Sequence, residues 1–176
     1  MTAVTAAMID DELRQAAARL LELCRSRGLK IATAESCTGG LVAGALTEIA
    51  GSSDVVDRGF VTYSNAAKHA MLGVAEATLE RHGAVSRETA EAMARGALGH
   101  ADADLAVAVT GIAGPGGGSA AKPVGLVHFA AAARDGRLIH RERRFGDIGR
   151  SEVRRLSVAE ALAMLEELAG GKTASL

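Results

Sequence analysis

The chain has 176 residues, of which 48% are hydrophobic but only 2% aromatic, and its formal net charge is -1. That length closes one ordinary domain with a good core. The near-neutral charge excludes a domain that grips nucleic acid through its phosphates, and the scarcity of aromatic rings leaves no platform for stacking single strands.

Cys24 and Cys37 are the only cysteines and give neither a disulfide framework nor a metal-ligand spacing. A reduced, cytoplasmic protein without a metal is expected. No apolar run approaches the roughly 20 residues of a membrane span. The opening MTAVTAAMIDDELRQ lacks the charged-then-apolar pattern of a signal peptide.

Helical and strand periods alternate along the chain. Leu13, Ala16, Ala17, Leu20 and Cys24 trace one helical face, which Gly28 ends. Ile31, Ala32 and Ala34 make a short apolar strand, Gly39 and Gly40 turn the backbone, and Leu41 to Ile49 resumes with helical spacing. Val55 to Tyr63 has the length and β-branched content of a second strand. Two short helices follow, Ala66 to Leu72 and Ala77 to His82, stopped by Gly73 and Gly83. Ser86 is a good N-cap for a helix that turns Ala90, Met93, Ala94, Ala97 and Leu98 inward. Leu105 to Val109 is short and wholly apolar, as in a strand covered on both faces. Val124 to Ala133 and Leu138 to Phe145 flank Asp135 and Gly136, a hairpin signal. A last helix, about Ser151 to Leu168, buries Leu156, Val158, Leu162 and Leu165. The pattern predicts an α/β fold, a three-layer α/β/α sandwich with a mixed central sheet. One domain is expected over 1–170 and a flexible tail over 171–176. Its core must be built from Ala, Leu, Val and Ile, with small side chains where helices meet the sheet.

Four places carry polar chemistry beyond the needs of a scaffold. In IATAESCTGG, Ser36 is delivered from a strand to the mouth of a helix, where unpaired N–H groups would receive an oxyanion; alternatively Ser36 or Thr38 caps that helix. In YSNAAK, Tyr63 and Lys68 lie at a strand end and a helix start, and both can face the crevice beyond the sheet. The loop Gly111 to Gly118 holds five glycines in eight residues, and its amides can wrap an oxyanion or phosphate. It lacks the Gly-Lys-Ser/Thr of a Walker loop and does not open a helix, which disfavours ATP or NAD as cofactor. Arg150, in FGDIGR, belongs to a basic cluster that is otherwise a solvated strand edge and helix face. There it could fork a phosphate or orient a carbonyl.

The chain resembles the CinA C-terminal domain family of nicotinamide mononucleotide amidohydrolases. The resemblance is carried by TAESCTGG (Thr33 to Gly40), GSSDVVDRGFVTYSNAAKHAMLGV (Gly51 to Val74), HGAVSRETAEAMARGA (His82 to Ala97), TGIAGPGGGSAAKPVGLVHFA (Thr110 to Ala130) and GRSEVR (Gly149 to Arg154), nearly the whole chain. It implies a self-associated α/β/α sandwich that needs no cofactor and hydrolyses the carboxamide of a small-molecule substrate, nicotinamide mononucleotide, with no nucleic-acid or membrane partner. Ser36, Tyr63 and Lys68 then form the catalytic group, and Thr110 and Arg150 contribute to the site. Ser36 would attack the carboxamide carbon. Lys68, lowered in pKa by burial, would be its base, with Tyr63 relaying the proton or holding the amine. Amides of Cys37, Thr38, Gly39 and Gly40, with Thr110, Gly111 or the loop beyond, would receive the oxyanion. The Cys37 thiol is the rival nucleophile. The resemblance assigns attack to the adjacent serine, and because successive side chains at a strand-to-helix turn point in different directions, Cys37 is expected against the core. Glu35 is left able to pair with Lys68 or Arg150. Longer family members carry an extra N-terminal pyrophosphatase domain that these 176 residues do not contain. A non-catalytic nucleotide-binding module is the alternative function, and a DNA-uptake accessory is disfavoured by charge.

Overall fold

The computed structural model describes residues 7–171. Asp10 caps α1 (Asp11–Arg27) by accepting from the Leu13 amide, and Gly28, left-handed at φ 66, ends it. Then come β1 (Ile31–Glu35), α2 (Leu41–Thr47), a 3-10 turn (Ser52–Asp54), β2 (Val56–Val61), α3 (Asn65–Leu72), α4 (Glu76–His82) and α5 (Arg87–Gly99). The chain closes with β3 (Leu105–Gly111), β4 (Leu126–Ala133), β5 (Leu138–Arg144) and α6 (Arg150–Gly170). Gly171 ends α6, and the rest of the tail expected at 171–176 lies outside the described residues.

The strands form one sheet in the order β2-β1-β3-β4-β5. β2, β1 and β3 run parallel, whereas β4 and β5 are antiparallel additions, so the sheet is mixed as expected. Strand side chains alternate between two cores. Ile31, Val107, Val109 and Phe129 pack with α1, α2 and α6 on one face. On the other, Ala32, Ala34, Ala106, Ala108, Ala130 and Ala132 meet Ala90, Met93, Ala94 and Ala97 of α5. The second interface is almost all alanine on the sheet side, which is how a chain with few large side chains seats a helix closely.

Several boundaries differ from the sequence reading. β2 stops at Val61, leaving Tyr63 beyond the strand; α2 ends at Thr47, and β4 starts at Leu126 rather than Val124. Leu156, expected inside, is half-buried, because the buried stripe of α6 runs through Val153, Ser157, Ala161, Leu165 and Leu168 and passes beside it. Ala16 and Leu98 are likewise at the margins of their faces.

Candidate active site

Ser36 is the first residue past β1, and its amide still extends the ladder by donating to Val109 O at 2.9 Å. The chain then turns, with Gly39 N–H donating to Ser36 O, and α2 starts after Gly40, whose φ of 99 suits glycine. Neither Ser36 nor Thr38 caps that helix. The Glu35 carboxylate does: Oε1 accepts from Val42 N at 2.7 Å and Oε2 from Ala43 N at 3.1 Å. A buried anion at a helix N-terminus satisfies both the dipole and the unpaired amides. The helix amides expected to receive an oxyanion beside Ser36 are therefore occupied, and Glu35 pairs with neither Lys68 nor Arg150.

Ser64 caps α3 by accepting from Ala67 N–H, which places Lys68 on the first turn with its side chain directed inward. Lys68 is 1% exposed. Its Nζ donates to Ser36 Oγ at 3.1 Å and to Thr62 O at 2.9 Å. Burial in this setting holds its pKa below the usual lysine value, because the charged form has lost water and gained no carboxylate among its hydrogen-bond partners. The serine and lysine singled out in the sequence thus meet directly.

Tyr63 has a different partner from the one expected. Its side chain is 62% exposed, and its hydroxyl accepts from Arg150 Nη2 at 3.0 Å. Arg150 Nη1 donates to Gly114 O, also at 3.0 Å, so this arginine bridges the β2-α3 connection and the glycine loop. The lysine is held by the Thr62 carbonyl instead of by the phenol. Thr110, 1% exposed, donates its hydroxyl to Ala84 O at 2.8 Å, so that proton is committed to the cavity wall.

Ser36, Cys37, Tyr63, Lys68, Thr110, Gly111 and Arg150 line one cavity of about 270 Å³ at the ends of the strands. Thr38, Gly39 and Gly40 do not line it, because the loop turns away there into α2. Asn65, Gly114, Gly116 and Gly117 join the lining. Asn65, within YSNAAK, stays exposed and reaches the cavity rim from the first residue of α3. Gly111 stands where a Cβ would sit 2.7 Å from Val127 Cγ2, so the wall there is bare backbone. Cys37 packs into the apolar cluster, and burial pushes its thiol up to about 12.

A second arginine, Arg154, belongs in the sequence to the basic cluster expected to be a solvated edge and to GRSEVR, but the fold brings it to the Ser36 loop. It lies four residues after Arg150 on α6 and donates to Cys37 O and Thr38 O. Most of the remaining basic cluster forms ion pairs, Arg141 and Arg143 with the half-buried Glu160 and Arg155 with Glu152. Among the described residues no three His, Cys, Asp or Glu side chains are grouped to hold a metal, and no helix is long and apolar enough to cross a membrane.

The comparisons agree with this architecture. Proteins of Escherichia coli strain K12 and Enterobacter agglomerans, both named nicotinamide-nucleotide amidohydrolase PncC, are 53% and 51% identical to the chain over 159 and 152 residues. The alignments cover 90% and 86% of this chain and 95% and 92% of those proteins. The crystal structure of the competence/damage inducible protein CihA from Agrobacterium tumefaciens matches with a TM-score of 0.90 at 59% identity, covering 92% of this chain and 98% of that one. The family model described as CinA C-terminal domain matches residues 13–169, and the chain belongs to that family.

Proposed function

We propose that this chain hydrolyses the carboxamide of nicotinamide mononucleotide, giving nicotinate mononucleotide and ammonia, with Ser36 as nucleophile and Lys68 as its base. By family and by likeness over most of its length it is an amidohydrolase. The observation that carries the finer reading is the 3.1 Å contact between Ser36 Oγ and a buried lysine whose neutral form is favoured by burial.

An amide is a weak electrophile and its nitrogen a poor leaving group, so attack and departure both need proton transfer. Neutral Lys68 takes the Ser36 proton as Oγ bonds to the carboxamide carbon. The carbonyl π electrons move to oxygen, and amide donors beside Ser36 receive that charge. Lys68 then hands its proton to nitrogen, the C–N bond breaks, and ammonia leaves an acyl-serine. Water, deprotonated by the same amine, adds to the ester and returns Ser36 with the nicotinate product. The Tyr63 hydroxyl accepts from Arg150, so the pair faces the substrate from the cavity's outer wall. Cys37 is passed over, since a thiol at about 12 supplies almost no thiolate at neutral pH.

The test is ammonia release from the mononucleotide, with free nicotinamide as control. Wild type should release ammonia from the mononucleotide, and Ser36→Ala should lose at least about 10⁴-fold in turnover with an unchanged circular dichroism spectrum. Folded Ser36→Ala at wild-type rate would end the serine assignment; tight nucleotide binding by wild type without ammonia release would favour the non-catalytic module instead.

A further inference from the structure

If Ser36 attacks a carbonyl, the loop around it must aim donors at the oxyanion, and α2 cannot supply them. Its Val42 and Ala43 amides belong to Glu35, Leu41 N–H donates to Thr38 O, and Gly44 N–H to Gly40 O. Inside the loop, Gly39 N–H is used by Ser36 O. Cys37, Thr38 and Gly40 remain, and of these only Cys37 lines the cavity. Cys37 is buried, and its amide donates to no other of the described residues. A buried N–H that meets no oxygen is rare in folded proteins, and beside a nucleophile it marks where a ligand oxygen belongs.

The aim of this donor is set from behind. A trans peptide holds its N–H antiparallel to the C=O of the same plane. The Ser36 carbonyl, fixed by Gly39 N–H, orients the Cys37 amide. The peptide planes that follow Cys37 are fixed by Arg154: Nε donates to Cys37 O at 3.1 Å while Nη2 donates to Thr38 O at 3.3 Å. One planar guanidinium thereby holds two successive peptide planes, a task for which a single ammonium lacks the fork. Gly39, at φ +56, takes the left-handed backbone that this turn needs and leaves its face beside Nη2 open.

We infer that Arg154 is a positioning residue for the amidase reaction, clamping the Cys37 and Thr38 carbonyls so that the loop keeps the Cys37 amide, which lines the cavity, aimed at the oxyanion formed on Ser36 attack. The inference rests on the serine amidase reading above. Arg150, one turn earlier on the same helix, reaches the cavity mouth, so the start of α6 serves the site twice.

Arg154→Ala should lower kcat on nicotinamide mononucleotide about 10- to 100-fold, as expected when an oxyanion donor is misaimed rather than removed. KM should stay within about 3-fold, because the lost interaction acts on the transition state. Guanidinium ion in the assay should restore part of kcat to Arg154→Ala. Arg154→Lys, which keeps the charge but not the fork, should fall between the two, and it carries the test if Arg154→Ala does not fold. Wild-type kcat in a folded Arg154→Ala or Arg154→Lys, or a loss confined to KM, overturns the inference and leaves the serine amidase standing. A wild-type protein that releases no ammonia overturns that reading, and the inference with it.

Discussion

At the scale of single residues, burial does opposite things to the two kinds of group gathered around Ser36. It removes water from the Lys68 ammonium and so favours the free amine, a base; it removes water from the cysteine thiolates and so favours the inert thiol. Cys37 is raised to about 12 and Cys24 to about 11. Iodoacetamide near neutral pH should therefore leave both cysteines of the native protein unmodified and its activity intact, whereas the unfolded chain should take up two equivalents, as read by intact mass. Rapid alkylation of native Cys37 would contradict this assignment. Ser36 and Lys68 were legible in the sequence because their signals are local, a strand end followed by glycines and a capped helix start. Their partners were not. The Tyr63 to Arg150 contact spans 87 residues and that of Arg154 with Cys37 spans 117, and only the folded sheet brings such groups together. Glu35 could be read as a counter-ion from its position alone; its direction toward the α2 amides needs the turn at Gly40.

Among the elements, α3 matters most, since it carries Lys68, and its position is set by how closely α5 can approach. Gly96 lies in the middle of α5 where an added Cβ would overlap the Leu72 carbonyl oxygen at the end of α3 and sit 3.0 Å from Leu72 Cβ. Gly96→Ala gains about 1 kcal/mol of helix propensity. Against this, overpacking a rigid backbone contact costs about 1–3 kcal/mol. The net effect should be destabilisation by about 1 kcal/mol or more in a denaturant titration. Because α3 must move, kcat should also fall about 10-fold or more, as misplacement of a catalytic group by a fraction of an ångström implies. A variant as stable and active as wild type would show that α3 is not held by this contact. The elements themselves were readable from hydrophobic period, down to the small-residue face of α5, because alternation and capping are local physics. Edges were less so: α2 ends at Thr47 because the chain tightens there, with Ile49 N–H donating to Leu46 O, and Leu156 misses the core by a rotation around α6 that packing decides.

For the whole molecule, these titrations combine into a stability profile whose two limbs have different owners. His128 and His140, joined Nδ1 to Nε2 at 2.9 Å, both lie below the ordinary histidine value, chiefly through burial. As pH falls through 6.5 the unfolded chain binds those protons first, so stability drops. Glu160 follows at lower pH. Its burial opposes ionisation, but the Arg143 and Arg141 guanidinium groups bring it below the usual glutamate value, and that stabilisation is lost as acid protonates the folded form. Exposed pairs such as Arg25 with Asp54 are screened and add little. On the alkaline side Lys68 and the two cysteines act in opposite directions: Cys24 and Cys37, raised from 9.0, keep protons in the folded state that the unfolded chain has lost, so their share of the stability falls as pH rises past 9.0. Between the lowered folded pKa of Lys68 and the unfolded value of 10.5 the unfolded state keeps a proton the folded state has given up, so the Lys68 share of the stability rises with pH. Lys68→Met removes that slope and leaves the acid limb in place. Melting temperatures measured from acid to alkaline pH should show the difference between wild type and Lys68→Met constant at acid pH and growing in favour of wild type from the lowered Lys68 value up to 10.5. A constant difference across the alkaline range would mean that Lys68 ionises as an ordinary lysine, and the amine would then be too basic to accept the serine proton.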